Sequence, residues 1–374
     1  MRVMILDNDP WNAEVLEKII LSISPNLKVD IFSRVHQAIA AHRQGDYQLV
    51  MSELSLPDAP GSDLLKQIRR TDSTTPLVII TGQADRSSIM AVRPLGISAF
   101  ITKPFQVRHV LDCLSKLLPA DTVTDSSPAH STSFKEHLAT LPVQALDLPV
   151  IATVRTQLLS YLDGQPFDLR KLAESMKHDP ALCAKLVAVA NSTAYNTDGR
   201  ACLSHLEALR KLGVQTSLNI ALGMALRQFT QQAEGPVKEM IERQLLATDQ
   251  LAEKAVALAV KCNKEPALLH TAALLHRMGE LCVLYHAQVW VNSGSSLDED
   301  ELLQAINLFS ENFANSLKVN WQLPMPLREL IGAVYALPKT QIRRKQVIMR
   351  LAAAEQRDEE PASIERLRRM AGLT

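Results

Sequence analysis

The 374-residue chain is long enough for two or three ordinary domains, and hydrophobic residues at 47% allow sizeable cores. Lysine plus arginine equals aspartate plus glutamate at 40 each, so net charge gives no argument for nucleic acid or an anionic membrane as partner. The five cysteines, Cys113, Cys183, Cys202, Cys262 and Cys282, are scattered with no C-x-x-C pair, which predicts buried thiols in a reducing compartment rather than a disulfide frame or a zinc site. The opening MRVMILDNDP meets an aspartate too early for a secretory signal. No apolar run reaches the roughly 18 to 20 residues of a membrane span. A cytoplasmic protein with neither DNA nor membrane as partner is expected.

In chain order, RVMIL (2–6) is a short apolar run that ends at Asp7-Asn8-Asp9-Pro10, and an amphipathic segment with Val15, Leu16, Ile19, Ile20 and Ile23 at helical spacing follows. The alternation repeats: VDIF (29–32) before VHQAIAAHRQ, YQLVMS (47–52) before SDLLKQIRR, PLVIIT (76–81) before SSIMAVRPLG, and AFITKPF (99–105) before VRHVLDCLSKLLP. Five strand signals alternating with five helix signals predict a doubly wound α/β domain with a parallel five-stranded sheet over residues 1–119. Ligands of such sheets bind beyond the carboxyl ends of the strands, and those ends carry Asp7, Asn8, Asp9, Glu53, Thr81 and Lys103.

Residues 120–137 are rich in Ser, Thr, Asp and Pro, and predict a flexible linker. Helical periodicity dominates from 138 to 337, in LRKLAESMK, PALCAKLVAVANS, LSHLEALRKLG, SLNIALGMALRQF, a long run from Val237 to Cys262, and ALLHTAALLHRMGELCVLYHAQ. These predict a second, all-α domain. Residues 338–374 form a charged C-terminal helical extension in which Arg343, Arg344, Lys345, Arg366, Arg368 and Arg369 are offset by Glu355, Asp358, Glu359 and Glu360; its short helices are expected to present solvated faces.

The acidic residues after the first strand, LVMSELSLPDAPG (49–61) at the third, VIITG at the fourth and AFITKPF at the fifth resemble, in order and spacing, the flavodoxin-like receiver domain of two-component response regulators. The resemblance implies phosphoryl transfer to a carboxylate, in which a metal and a lysine neutralise the charge that develops on the phosphoryl oxygens. The acceptor position aligns with Glu53, the metal-holding acids with Asp7 and Asn8, the hydroxyl with Thr81, the lysine with Lys103 and the aromatic switch with Phe100. Two positions depart from the pattern. Glu53 carries one methylene more than aspartate, and a misplacement of about 1 Å costs about 100-fold in rate. Asn8 removes an anionic ligand from a site where a hard cation prefers anionic oxygen. The expectation is a pseudo-receiver that does not cycle through an acyl phosphate, with Glu53 reaching Lys103 and Thr81 and fixing one conformation; simple drift in a domain kept for dimerisation or docking is the competing expectation. A third alternative is phosphorylation at another carboxylate, Asp58 or Asp9, although Asp58 reads as a turn residue. No cofactor is expected beyond weak residual Mg²⁺.

HDPALCAKLVAVANSTAY (178–195), with Asp179 as helix N-cap and Pro180 at the first helical position, together with LRKLG and ALLHRMGELCVL, resembles the HDOD domain. HDOD domains are relatives of the metal-dependent HD phosphohydrolases, including the HD-GYP cyclic-di-GMP phosphodiesterases. The metal-binding His-Asp pair of those enzymes corresponds here to His276-Arg277, and a guanidinium cannot ligate a cation. No histidine lies between His205 and His270 or after His286, and Glu280 follows Gly279 where the enzymes carry lysine. His276 is expected to be a packed core residue, Arg277 to pair with Glu280 three residues on, and the domain to have lost hydrolysis. The resemblance implies a non-enzymatic, two-component-type regulator acting through protein–protein contacts with a sensor kinase or a cyclic-di-GMP cyclase or phosphodiesterase, and a homodimer through either domain. The alternative is a nucleotide or cyclic-dinucleotide sensor in which Arg277 faces a phosphate in the vestigial HD pocket.

Overall fold

The computed structural model describes residues 2–82, 89–90, 92–118, 133–162, 174–227 and 235–373. The chain divides into two compact units. One comprises 1–125 with 158–165 and 214–229; the other comprises 126–157, 166–213 and 230–374.

The first unit is built on five parallel strands in the order β2-β1-β3-β4-β5: β1 Arg2–Leu6, β2 Lys28–Phe32, β3 Leu49–Ser52, β4 Leu77–Thr81 and β5 Ala99–Thr102. This is the flavodoxin-like order, with its crossover point between β1 and β3. The central strands β3 and β4 are buried at every residue, whereas the edge strand β2 is mostly half-exposed, so the continuous apolar runs mark the middle of the sheet. Helix α1 (Pro10–Ile23) starts on Asp9, whose Oδ1 accepts the Trp11 N–H, and buries Val15, Leu16, Ile19 and Ile20. α2 (Val35–His42) and α3 (Ser62–Arg69) enclose a core in which Met4, Leu6, Val50, Leu77 and Ile79 meet Leu64, Leu65 and Ile68. Val3 and Ile5 point to the other face by strand alternation. α4 (Val107–Leu114) packs on α1. Of the helix expected over 87–96, residues 87, 88 and 91 lie outside those described; Ile89, Met90 and Val92 are helical, and Arg93–Leu95 form a 3₁₀ turn that ends at Gly96 with φ of +62°.

In the second unit, and in the unit-one segments that interrupt it, the helices are α5 Phe134–Thr140, α6 Ala152–Leu162, α7 Pro180–Ala190, α8 His205–Arg227, α9 Gly235–Lys261, α10 Ala267–Leu274, α11 Met278–Asn292, α12 Glu299–Asn320, α13 Met325–Ala333, α14 Arg344–Gln356 and α15 Pro361–Ala371. Residues 120–132 of the expected linker lie outside the described residues, as does most of LRKLAESMK, while Phe134–His137, expected as linker, already form the first turn of α5 on the Ser133 cap. Asp179 caps α7 as expected, accepting the Leu182 N–H at 2.9 Å, and also takes the Ile151 N–H at 2.7 Å. α7 is buried on all sides, including Lys185, whose ammonium lies 5.5 Å from the centre of the Trp321 ring. α8 breaks at Gly213, where φ is +74°; only glycine takes that conformation without strain. The residues beyond the break, Val214–Arg227, belong to the first unit, where Asn219 Nδ2 donates to the Phe105 carbonyl at 2.7 Å.

Two expectations fail here. ALLHTAALLHRMGEL is not one helix: the chain turns at 275–277, between α10 and α11. The C-terminal extension is not two solvated helices either. α14 buries Val347, Ile348, Met349, Leu351 and Ala352–Ala354, and its charged neighbours pair with acids, Arg350 with Glu359 at 2.6 Å and Arg368 with Glu355 at 2.9 Å. The cysteines are free and, apart from half-buried Cys113, buried.

α11 and α12 meet backbone to backbone at Gly279, where a Cβ would lie 2.0 Å from the Ser310 carbonyl oxygen. Gly279→Ala must push the two helices apart. The expected loss is about 1–3 kcal/mol of unfolding free energy, read by denaturant titration, and an unchanged midpoint would show that the contact is not close in solution.

Candidate functional site

Three strand ends converge at the top of the sheet. Asp7 follows β1, Glu53 follows β3, and Lys103 follows β5. Register holds each in place: the Glu53 N–H donates to Leu6 O at 2.8 Å and the Lys103 N–H to Thr81 O at 2.8 Å. The Lys103 ammonium lies 2.6 Å from Asp7 Oδ2 and 2.9 Å from Glu53 Oε2. The remaining oxygens are also engaged, Asp7 Oδ1 by the Asp9 N–H at 2.9 Å and Glu53 Oε1 by the Leu54 and Ser55 N–H groups at 2.7 and 3.2 Å. The Thr81 hydroxyl also hydrogen-bonds Glu53. The extra methylene of Glu53 thus lets its carboxylate bind its own loop and the lysine together.

One buried ammonium cannot neutralise two buried carboxylates, and the imbalance appears in their titration. Burial pushes all three groups towards neutrality. For Asp7 burial wins over Lys103, and its carboxyl titrates above the ordinary range. For Glu53 the Lys103 charge and the hydrogen bonds from Thr81, Lys103 and Ser55 outweigh burial, and its carboxyl titrates lower than usual. The two carboxylates likewise outweigh burial at Lys103 and raise it.

The other receiver positions are placed as follows. Asn8 is exposed beside the site. Phe100 is half-buried on β5 against the core. The loop 53–61 closes through a bridge between Ser55 and Pro60 and a hydrogen bond from the Gly61 N–H to Leu54 O at 2.9 Å. A Cβ on Gly61 would lie 1.8 Å from Glu53 O, so this close approach needs glycine. Asp9 is spent on α1. Asp58 caps α2 from across the fold, accepting the Val35 and His36 N–H groups at 3.1 and 3.2 Å and facing His36 Nδ1 at 2.9 Å. Burial of Asp58 is outweighed by the His36 contacts and these N–H groups, which hold its carboxyl down at about 2. Neither alternative carboxylate stands free.

The receiver resemblance implies Mg²⁺, and the donor set does not fit it. Each oxygen of Asp7 and Glu53 already faces an ammonium or an N–H, so a cation would have to displace Lys103 from between them. Among the described residues no cluster of three His, Cys, Asp or Glu side chains is arranged to hold a metal.

His276 and Arg277 lie in the turn between α10 and α11. His276 is buried, and both its ring nitrogens are used: Nδ1 donates to Ala273 O at 2.6 Å and Nε2 accepts from Arg277 Nε at 3.2 Å. Burial, with the charges of Arg277 and Arg357, holds the imidazole neutral, with a pKa of about 3. Arg277 does not pair with Glu280. Its guanidinium bonds Gln244 and His276 instead, because the turn removes it from the helical geometry that puts residues three apart side by side. His178, His205, His270 and Asp249 also gather in this unit, a grouping absent from the sequence reading. His178 Nδ1 lies 2.6 Å from Asp249, and the His205 and His270 rings are 5.4 Å apart. These residues lie on separate segments, so no local spacing could reveal the cluster.

Comparison with known proteins agrees with both resemblances. A response regulator receiver domain matches residues 3–115 and an HDOD domain matches residues 148–337. The sensory/regulatory protein RpfC of Xanthomonas campestris is 29% identical over 121 residues, which are 31% of this chain and 16% of RpfC; the chain thus spans a small part of that protein. The chemotaxis protein CheY-3 of Vibrio cholerae is 24% identical over 119 residues, 31% of this chain and 91% of CheY-3. Among solved structures, the MmoQ response regulator of Methylococcus capsulatus aligns over 61% of this chain and 95% of its own, with 18% identity and a TM-score of 0.46. The chain belongs to the HDOD family and carries a response regulator receiver domain ahead of its HDOD domain.

Proposed function

We propose that this two-component-type regulator works by binding and not by catalysis, with its receiver held in one state. The observation that carries this reading is the Lys103 ammonium held between Asp7 and Glu53, because the lysine that would stabilise a transferred phosphoryl group is already paired with a permanent carboxylate. Its partners are a sensor kinase or a cyclase or phosphodiesterase of the cyclic-di-GMP network, the class that the HDOD resemblance implies, and it assembles as a homodimer through one of its two domains. A cytoplasmic location accords with the reduced cysteines and with the finding that, among the described residues, no helix is long and apolar enough to cross a membrane.

Three measurements check this. Incubation with acetyl phosphate and Mg²⁺, followed by intact mass, gives no phosphoryl adduct on the wild type, and Glu53→Asp combined with Asn8→Asp gains one. A stoichiometric wild-type adduct lost in Glu53→Ala would sink the reading. Purified protein carries no stoichiometric metal and does not hydrolyse cyclic-di-GMP; turnover lost in His276→Ala would reverse that conclusion. Lys103→Met strands two buried carboxylates and lowers stability at neutral pH by about 3–5 kcal/mol. In that variant both carboxyls titrate above their unfolded values, so the deficit is present at neutral pH and shrinks as pH falls and they protonate. In the wild type the sign at Glu53 is opposite: its lowered pKa adds stability above the ordinary value of 4.5, lost as pH falls through the folded value. Melting curves of both proteins from neutral to acid pH read the difference, and a pH-independent gap would show that the ion pairs are not the cause.

A further inference from the structure

The helical unit contains a cavity of about 550 Å³ beside the turn that carries His276, a size that suits a small metabolite. α11, α12 and α13 line it. Its charged lining residues are Glu280, Glu311 and Lys318, and Ile306 and Ile331 supply apolar wall.

Glu280 is the unusual member. It is half-buried in the first turn of α11, and among the described residues its carboxylate has neither an ion pair nor a hydrogen bond from another side chain. The nearest cation in sequence, Arg277, is turned to Gln244 and His276. Burial outweighs a hydrogen bond from its own backbone N–H and the charges of Arg277 and Arg357, and raises the Glu280 carboxyl above its ordinary range. A partly desolvated carboxylate with no ion pair is costly to the fold, and a bound cation would supply the missing charge. A second unsatisfied group lines the same cavity: the Ser310 hydroxyl is buried and has no hydrogen-bond partner.

The charge balance selects the ligand. Two carboxylates face one ammonium, and His276 is neutral, so the lining carries a net negative charge. Lys318 is the single cation of the lining, and Glu280 and Glu311 would repel a phosphate brought to it. We infer that this cavity binds a small organic cation with a primary ammonium group, anchored on Glu280 with Glu311 near its entrance and its methylenes against Ile306 and Ile331. The assignment does not depend on whether the receiver accepts phosphate.

Calorimetric titration of the full-length protein with 1,4-diaminobutane and with spermidine, against guanosine monophosphate as an anionic probe, tests it. At least one amine is expected to bind saturably with a Kd below about 1 mM, and the nucleotide is not. Glu280→Gln is expected to weaken the amine about 10-fold or more, the size of a lost charge-assisted bond, while melting at or above the wild-type temperature because a stranded charge has been removed. Glu311→Gln, at an exposed position that leaves the fold intact, is expected to weaken it less. Saturation by neither amine, unchanged affinity in both variants, or tighter binding of the nucleotide than of either amine would each overturn the inference.

Discussion

The receiver unit depends on one positive charge shared by two buried carboxylates. Parallel strands bring their carboxyl ends to one edge, so any residue that follows a central strand is delivered to the same small volume. Here that volume receives Asp7, Glu53 and Lys103, and the ammonium sits between the acids. The surroundings then complete the shell, with backbone N–H groups on the free oxygens and the Thr81 hydroxyl on Glu53. A site in which every carboxylate oxygen has a partner is rigid and has little use for a divalent cation. A glutamate reaches further than an aspartate, and here its carboxylate lies 2.9 Å from the Lys103 ammonium.

The helical unit solves its charge problem differently. In the turn between α10 and α11, Arg277 and His276 satisfy each other and their neighbours. Four residues beyond His276, Glu280 faces a cavity that Lys318 also lines, yet among the described residues it has no ion pair. The two units therefore differ: a fully paired cluster in one, and in the other a carboxylate that has no ion pair among the described residues beside an open volume.

Much of this was legible in the sequence because it is local or periodic. The five strands lie where the apolar runs put them, since burial on both faces demands continuous hydrophobicity, and the convergence of Glu53, Thr81 and Lys103 followed from their places at strand ends. Asp179 and Pro180 announced α7 by their capping chemistry. The failures have physical reasons. The turn at 275–277 falls in an apolar run with no proline, so periodicity carried straight through it and Arg277 was assigned a partner it does not meet. The burial of α14 was hidden because Ala352, Ala353 and Ala354 are small and weakly hydrophobic, and the flanking arginines dominated the reading. Asp58 lies at a bend of its loop as expected, but its second role, accepting the Val35 and His36 N–H groups, could not be read from local spacing because those residues lie in an earlier helix.

The boundary between the domains is also less simple than the linker suggested. Residues 214–227 lie inside the HDOD match, yet they pack in the first unit. Gln215 and Asn219 both donate to the carbonyl of Phe105, at 3.3 and 2.7 Å, and Gly223 lies against Val15, where a Cβ would be 3.3 Å from the valine methyl. Phe105 follows Lys103 by two residues, so the loop that the ion pairs hold at one end is held by this helix at the other. A loop fixed at both ends has few conformations left. Sequence similarity traces descent along the chain, whereas the helix keeps its place through hydrogen bonds and van der Waals contact, and at Gly213 the two criteria part.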